Sequence, residues 1–166
     1  MVGLICMKYT FTAILLCLCV LGVGCVSGLS LTPQTGTTNV SGTKLDLSNQ
    51  GFTEVSQDVF KQTSLVELDL SGNNLTGAIP GEIRFLANLE KLDLSDNAMT
   101  GLPAEVGQLQ KLKTLDLSNN QLTGLPLELG QLSALETLDL RGNSYSAHDL
   151  GIIRTTLSPQ VNILVD

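Results

Sequence analysis

One stretch of thirteen residues recurs along this sequence: Leu112-Lys-Thr-Leu-Asp-Leu-Ser-Asn-Asn-Gln-Leu-Thr-Gly124. Two further copies align with it without gaps, a fourth is complete up to its asparagine, and a degenerate fifth precedes them all. The copies begin at residues 42, 65, 89, 112 and 135, so the spacing is 23, 24, 23 and 23 residues. Self-similarity at such a period predicts a solenoid, in which each unit buries its apolar face only against its neighbours.

The residue types within one copy predict its local structure. Leu115 and Leu117 alternate with polar residues, which is the pattern of a short strand with one buried face. Stacking of the copies then pairs these strands into a parallel sheet. An asparagine follows each strand where the chain turns inward, and its amide can both donate to and accept from buried backbone groups. We therefore expect a structural asparagine ladder, formed by Asn73, Asn97, Asn120 and Asn143.

The pattern Leu-x-x-Leu-x-Leu-x-x-Asn-x-Leu in these copies resembles the leucine-rich-repeat family. The resemblance covers residues 42–166, about three quarters of the chain. It implies an α/β repeat solenoid, a short arc with a parallel concave sheet of about five repeats. It also implies that the concave side binds a protein or peptide.

The residues beyond the last copy predict a C-terminal helical cap. Ser146-Ala-His-Asp149 has the form of a capped helix start. The apolar residues after it recur with helical spacing, at Leu150, Ile153 and Leu157. A final short strand is predicted within residues 161–165. At the other end the cap is only the degenerate copy, so we expect that end to fray first.

The polar residues of each predicted strand face the concave side and are the candidate binding residues. They are Lys44, Asp46, Glu67, Asp69, Ser71, Lys91, Asp93, Ser95, Thr114, Asp116, Ser118, Thr137, Asp139 and Arg141. The five aspartates form one column, with about 4.8 Å between neighbouring strands. Two interpretations stay open. The column attracts a basic ligand or divalent cations, or each aspartate is solvated or bonded to a neighbouring serine.

The N-terminal residues have the parts of an export signal: Lys8, an apolar stretch and a run of small residues. Gly22-Val-Gly-Cys25 resembles the lipobox of bacterial lipoproteins, which implies that Cys25 is the lipid anchor. Gly22 departs from that pattern, because leucine is usual there. A cleaved signal without lipid and an uncleaved anchor are the alternatives.

Composition divides the chain into three parts. Residues 1–25 form the predicted signal segment. Residues 26–41 are uncharged and rich in Ser, Thr and Gly, which predicts a flexible tether. Residues 42–166 form the repeat domain.

Charge and cysteine content limit the function classes. After residue 25 the chain has 8 basic and 16 acidic residues, a surface that repels phosphate backbones, so no nucleic-acid partner is expected. No cysteine follows Cys25, so the repeat domain has neither disulfides nor a thiol-based metal site. His148 is the one histidine, and no phosphate-binding glycine loop is present. We therefore predict a protein that is not an enzyme and needs no cofactor or metal.

These observations favour an exported, lipid-anchored protein-binding module at a bacterial cell envelope. Five short strands give a concave face of about 300 Å², against about 800 Å² per partner in a standard interface. Useful affinity would thus need the loops as well, or many copies on one membrane. The alternatives are a structural envelope or spacer protein without a specific partner, and a cytoplasmic scaffold with a mis-annotated N-terminus.

Overall fold

The computed structural model describes residues 39–41 and 43–166. The strands are β1 (Asn39–Ser41), β2 (Lys44–Asp46), β3 (Glu67–Asp69), β4 (Thr76–Gly77), β5 (Lys91–Asp93), β6 (Ala98–Met99), β7 (Thr114–Asp116), β8 (Thr137–Asp139) and β9 (Asn162–Leu164). Seven of them form one sheet in the order β1-β2-β3-β5-β7-β8-β9, and β4 pairs with β6 in a second sheet. The described part is a short repeat solenoid, which confirms the predicted fold class.

The five repeat strands pair in parallel with equivalent residues side by side. This register stacks one leucine of each strand in the interior, and each is at most 1% exposed: Leu45, Leu68, Leu92, Leu115 and Leu138. Complete burial of a leucine side chain contributes about 1.5–3 kcal/mol. Because every coil shares its leucines with two neighbours, the interior is one continuous apolar column.

Four short 3₁₀ helices form the opposite side, which we call the convex side: Val59–Lys61, Gly81–Phe85, Ala104–Gln108 and Leu127–Gln131. The last three each begin directly after a proline. Proline fixes its own φ and lacks an N–H, and it therefore starts a helical turn without losing a hydrogen bond. Ile83, Val106 and Leu129 lie one turn further on and are fully buried.

The asparagines of the predicted ladder connect consecutive coils. Asn120 Oδ1 accepts from Met99 N at 3.0 Å, and Asn120 Nδ2 donates to Leu94 O at 2.9 Å and to Leu117 O at 3.1 Å. The same arrangement recurs at Asn73, Asn97 and Asn143. Each amide thus satisfies backbone groups of its own coil and of the coil before it.

The C-terminal cap follows the sequence prediction. Helix α1 (Ala147–Thr156) begins after Ser146, whose hydroxyl accepts from Asp149 N at 3.3 Å. Ile153 is fully buried against the last 3₁₀ helix, so α1 covers the apolar end of the stack. β9 then pairs in parallel with β8 and extends the sheet by one strand.

The N-terminal end of the sheet has one more strand than predicted. β1 pairs antiparallel with β2, with Asn39 opposite Asp46 and Ser41 opposite Lys44. β1 comprises the last three residues of the predicted tether, residues 26–41. Pairing on a sheet edge uses backbone groups, which every residue has, so a polar composition does not exclude it. The predicted signal segment, Cys25 and the rest of the tether lie outside the described residues.

Candidate ligand-binding face

The parallel register arranges the outward-facing strand residues in three columns, which together we call the concave face. The first column is Lys44, Glu67, Lys91, Thr114 and Thr137. The middle column is Asp46, Asp69, Asp93, Asp116 and Asp139. The third column is Ser48, Ser71, Ser95, Ser118 and Arg141. All residues predicted for the binding side thus lie on one surface of the sheet.

Four aspartates of the middle column are held by the serine two residues later. Asp116 Oδ1 accepts from Ser118 N at 2.9 Å and from Ser118 Oγ at 2.7 Å. The same two bonds form at Asp46, Asp69 and Asp93. The second carboxylate oxygen, Oδ2, of these four aspartates accepts no hydrogen bond from the described residues. The serines therefore fix one oxygen of each carboxylate and leave the other available to a ligand.

Hydrogen bonding also favours the charged form of the first aspartate of the column. The backbone N–H of Ser48, and then its hydroxyl, lower the pKa of Asp46 below the ordinary carboxyl value. Donors that bond to a carboxylate favour its charged form. The two bonds from Ser48 thus stabilise the negative charge of Asp46.

The last aspartate is paired differently. Asp139 is buried, and Arg141 stands where the other strands have serine. Arg141 Nη2 lies 2.5 Å from Asp139 Oδ2, and Arg141 Nε lies 3.0 Å from Asp139 Oδ1. This two-pronged ion pair lowers the pKa of Asp139. Both carboxylate oxygens are occupied, so Asp139 is not available to a ligand.

Charge is also neutralised at the N-terminal end of the face. Lys44 Nζ lies 2.8 Å from Glu67 Oε2 on the neighbouring strand, and this contact raises the pKa of Lys44. An exposed pair of this kind contributes little stability. Uncompensated carboxylates are therefore concentrated at the centre of the face, at Asp69, Asp93 and Asp116, beside the exposed Lys91.

Sequence reasoning missed a fourth column at the rim of the concave face. Its members all have a left-handed backbone, with φ between 54° and 68°: Asn49, Gly72, Asp96, Asn119 and Gly142. Asn119 Nδ2 donates to Asp96 Oδ1 at 2.9 Å, so the rim is bonded from coil to coil. Asn, Asp and Gly tolerate this backbone best. Their recurrence at one repeat position was the available signal.

The described residues contain no group of three or more His, Cys, Asp or Glu side chains placed to hold a metal ion. His148 is exposed in the first turn of α1, away from the strand residues. Within residues 39–41 and 43–166, no helix has the length and apolar character needed to cross a bilayer. The arrangement suits recognition through surface contacts.

Comparison with known proteins agrees with this geometry. The family model described as "Leucine rich repeat" matches residues 43–99 and 87–144. This chain belongs to the leucine-rich-repeat family. Members of the family are in general binding modules, because stacked repeats present an extended concave surface.

Solved leucine-rich-repeat structures show the same fold. A leucine-rich-repeat protein of Leptospira interrogans is 46% identical, with a TM-score of 0.63, over 67% of this chain and 28% of that chain. The ectodomain of the Arabidopsis thaliana membrane receptor kinase GASSHO1/SCHENGEN3, in complex with CASPARIAN STRIP INTEGRITY FACTOR 2, is 38% identical over 73% of this chain and 15% of that chain, with a TM-score of 0.61. The BIR3–SERK2 complex from Arabidopsis thaliana gives 32% identity and a TM-score of 0.59 over 74% of this chain and 66% of that chain.

This leucine-rich-repeat chain thus spans about a quarter of the Leptospira protein and about a seventh of the GASSHO1/SCHENGEN3 ectodomain. A search of the curated proteins gives no match. Two of the three structures described above are complexes with a second named component.

Proposed function

We propose that this protein is a non-enzymatic module that binds a basic protein or peptide segment on its concave face. The proposal rests on the carboxylates at the centre of the acidic column, Asp69, Asp93 and Asp116. In each of them a serine holds one oxygen, and the other oxygen accepts no hydrogen bond from the described residues. Carboxylates that are already oriented lose little side-chain freedom when they bind a lysine or arginine.

The size of the face limits its affinity. Its five repeat strands span roughly 20 Å at about 4.8 Å per strand, with a width of roughly 15 Å including the serine column. This area remains below the roughly 800 Å² per partner of a standard interface. A single copy therefore binds weakly, and display of many copies on one surface raises the effective affinity.

Loss of charge on the concave face tests this proposal. The triple variant Asp69→Asn/Asp93→Asn/Asp116→Asn keeps an oxygen that accepts from each serine, so the fold is retained. We expect it to reduce partner recovery in a quantitative pull-down at least tenfold, or about 1.4 kcal/mol. The matched control is Glu82→Gln/Glu105→Gln/Glu128→Gln, which changes the charge equally on the convex side. If partner recovery fell equally in both variants, or fell in neither, recognition by the concave face would be ruled out.

We further propose that residues 1–25 export the chain, that lipid on Cys25 anchors it at a bacterial cell envelope, and that residues 26–38 are the tether. The support is the order of a lipobox-like segment, an uncharged polar segment and a binding domain. Two or more acyl chains hold a protein stably on a membrane, whereas one does not.

Metabolic labelling with palmitate tests the anchor. We expect label on the wild-type chain, none on Cys25→Ser, and a shift of that variant from the membrane to the soluble fraction. The neighbouring change Ser27→Ala serves as the control and should keep both label and location. An unlabelled wild-type chain refutes lipidation and leaves the concave-face proposal untouched.

A further inference from the structure

A groove of about 480 Å³ lies between the first two coils, away from the concave face. It is lined by residues 53–57 of the first coil and by residues 75, 76 and 78–80 of the second. Val55 and Ile79 line it and are themselves buried, so the groove has an apolar base. Its volume lies within the roughly 300–1,000 Å³ that ligand pockets have. We call this feature the coil-gap groove.

The groove lies where two neighbouring repeats differ in sequence. The second coil is the one with 24 residues, and Ala78 is its extra residue. The first coil has Glu54 where later coils have Gly77, Gly101 and Gly124. No strand of the first coil pairs with β4, and β4 is hydrogen-bonded to β6 alone.

The edge of β4 that faces the first coil therefore has a free backbone donor. The carbonyls of Leu75 and Gly77 accept from Ala98 N and Thr100 N, each at 2.9 Å, and are directed towards β6. Thr76 lies between them and directs its N–H to the opposite side. This N–H has no acceptor among the described residues, whereas the equivalent N–H of Thr100 is bonded to the coil before it.

Pairing between the first two coils stops just before this point. Asn74 N donates to Phe52 O at 2.8 Å, and no further backbone bond between these coils follows it in the described residues. The gap thus opens at the residue where a continuous ladder would place the next acceptor. An extended backbone inserted there supplies the missing carbonyl.

We propose that the coil-gap groove binds an extended peptide segment of a partner protein, which adds to the free edge of β4 and places a lysine or arginine beside Glu54. Strand addition is a known mode of peptide recognition, in which backbone bonds give affinity and side-chain pockets give specificity. Among the described lining residues Glu54 alone is charged, so charge complementarity selects a basic side chain. An apolar side chain of the same peptide packs on Val55 and Ile79. This site is independent of the concave face.

The test uses the full chain and a capped octapeptide of alternating valine and lysine as the probe. Titration of ¹⁵N-labelled protein followed by NMR should shift the amides of residues 53–57 and 75–80. Thr76→Pro removes a donor that no native bond uses, and it should weaken binding at least tenfold, or about 1.4 kcal/mol. Thr76→Val keeps the N–H and should bind within twofold of the wild type. Glu54→Gln should remove the preference for this probe over an octapeptide of alternating valine and glutamate.

A second variant keeps the proposal testable if Thr76→Pro fails to fold. Ala78 is exposed at the groove, and Ala78→Arg fills the space without changing any backbone group, so it should abolish the same shifts. Binding that survives both variants overturns the proposal. Shifts confined to the concave strands also overturn it, although they would support a basic ligand on the concave face.

Discussion

Replacement of Asn120 by alanine is expected to lower the free energy of unfolding by about 4 kcal/mol. The Asn120 amide is buried, and the change removes the acceptor of Met99 N and the donor to the carbonyls of Leu94 and Leu117. Each buried backbone group that loses its partner costs about 1–3 kcal/mol. Urea denaturation followed by circular dichroism measures the loss.

Two companion variants separate hydrogen bonding from other causes. Gln121 is the exposed neighbour, and Gln121→Ala should change stability by no more than about 0.5 kcal/mol. Asn120→Asp keeps an acceptor for Met99 N but places a carboxylate against the two carbonyls, so it should be at least as damaging as alanine. A loss below about 1 kcal/mol in Asn120→Ala would mean that water replaces the amide, and the ladder would then contribute little to the fold.

The effect should spread beyond one coil. Each coil of a solenoid contacts only its neighbours, so stability is a sum of repeat and interface contributions. Asn120 bonds its own coil to the coil before it, and its loss weakens the junction at the centre of the array. We therefore expect a broader unfolding transition in the variant than in the wild type.

Most of the fold was predictable because the same residue pattern occurs in several copies along the chain. The Leu-x-Leu alternation predicted the repeat strands, and a helix start at Ser146 was legible from local capping chemistry. Repetition fixes the register as well, since equivalent residues must stack. The parallel sheet therefore followed from the sequence without any long-range information.

The rim column had a local signal, whereas two other features that sequence reasoning missed are non-local. β1 forms because β2 has an open edge, and nothing in Asn39-Val-Ser41 signals this. The pairing of β4 with β6, and the gap beside it, are features of the junctions between neighbouring coils. A property of one repeat can be read from its residues, whereas a property of the junction between two unlike repeats requires coordinates.

The concave face also combines properties that the sequence predicts with properties that require coordinates. Its residues were predictable, because strand alternation determines which side chains face outward. The hydrogen bonds and ion pairs of these residues were not predictable. The bond from Ser118 to Asp116, and the occupation of both oxygens of Asp139 by Arg141, decide which carboxylates can meet a ligand. Binding roles for these residues stay predictions until the charge variants are measured.

Gly107 gives the second large effect, and here sequence and structure predict opposite signs. Gly107 lies in the 3₁₀ helix Ala104–Gln108, and helix propensity alone predicts that alanine is stabilising there. In the structure, an alanine Cβ would lie 2.3 Å from the carbonyl oxygen of Glu128 and 2.7 Å from its carbonyl carbon. These are backbone atoms of the next coil, which cannot rotate away. We therefore expect Gly107→Ala to destabilise the protein by about 3 kcal/mol, the upper end of overpacking costs.

The same substitution at Gly151 provides the matched control. Gly151 lies within α1, and an added Cβ there has no atom within 4 Å. Gly151→Ala should therefore stabilise the protein by about 0.5–1 kcal/mol through helix propensity. Urea titrations of the two variants should give midpoints on opposite sides of the wild type. Two shifts of the same sign would contradict the close approach of the third and fourth 3₁₀ helices, since that contact is what separates the two glycines physically.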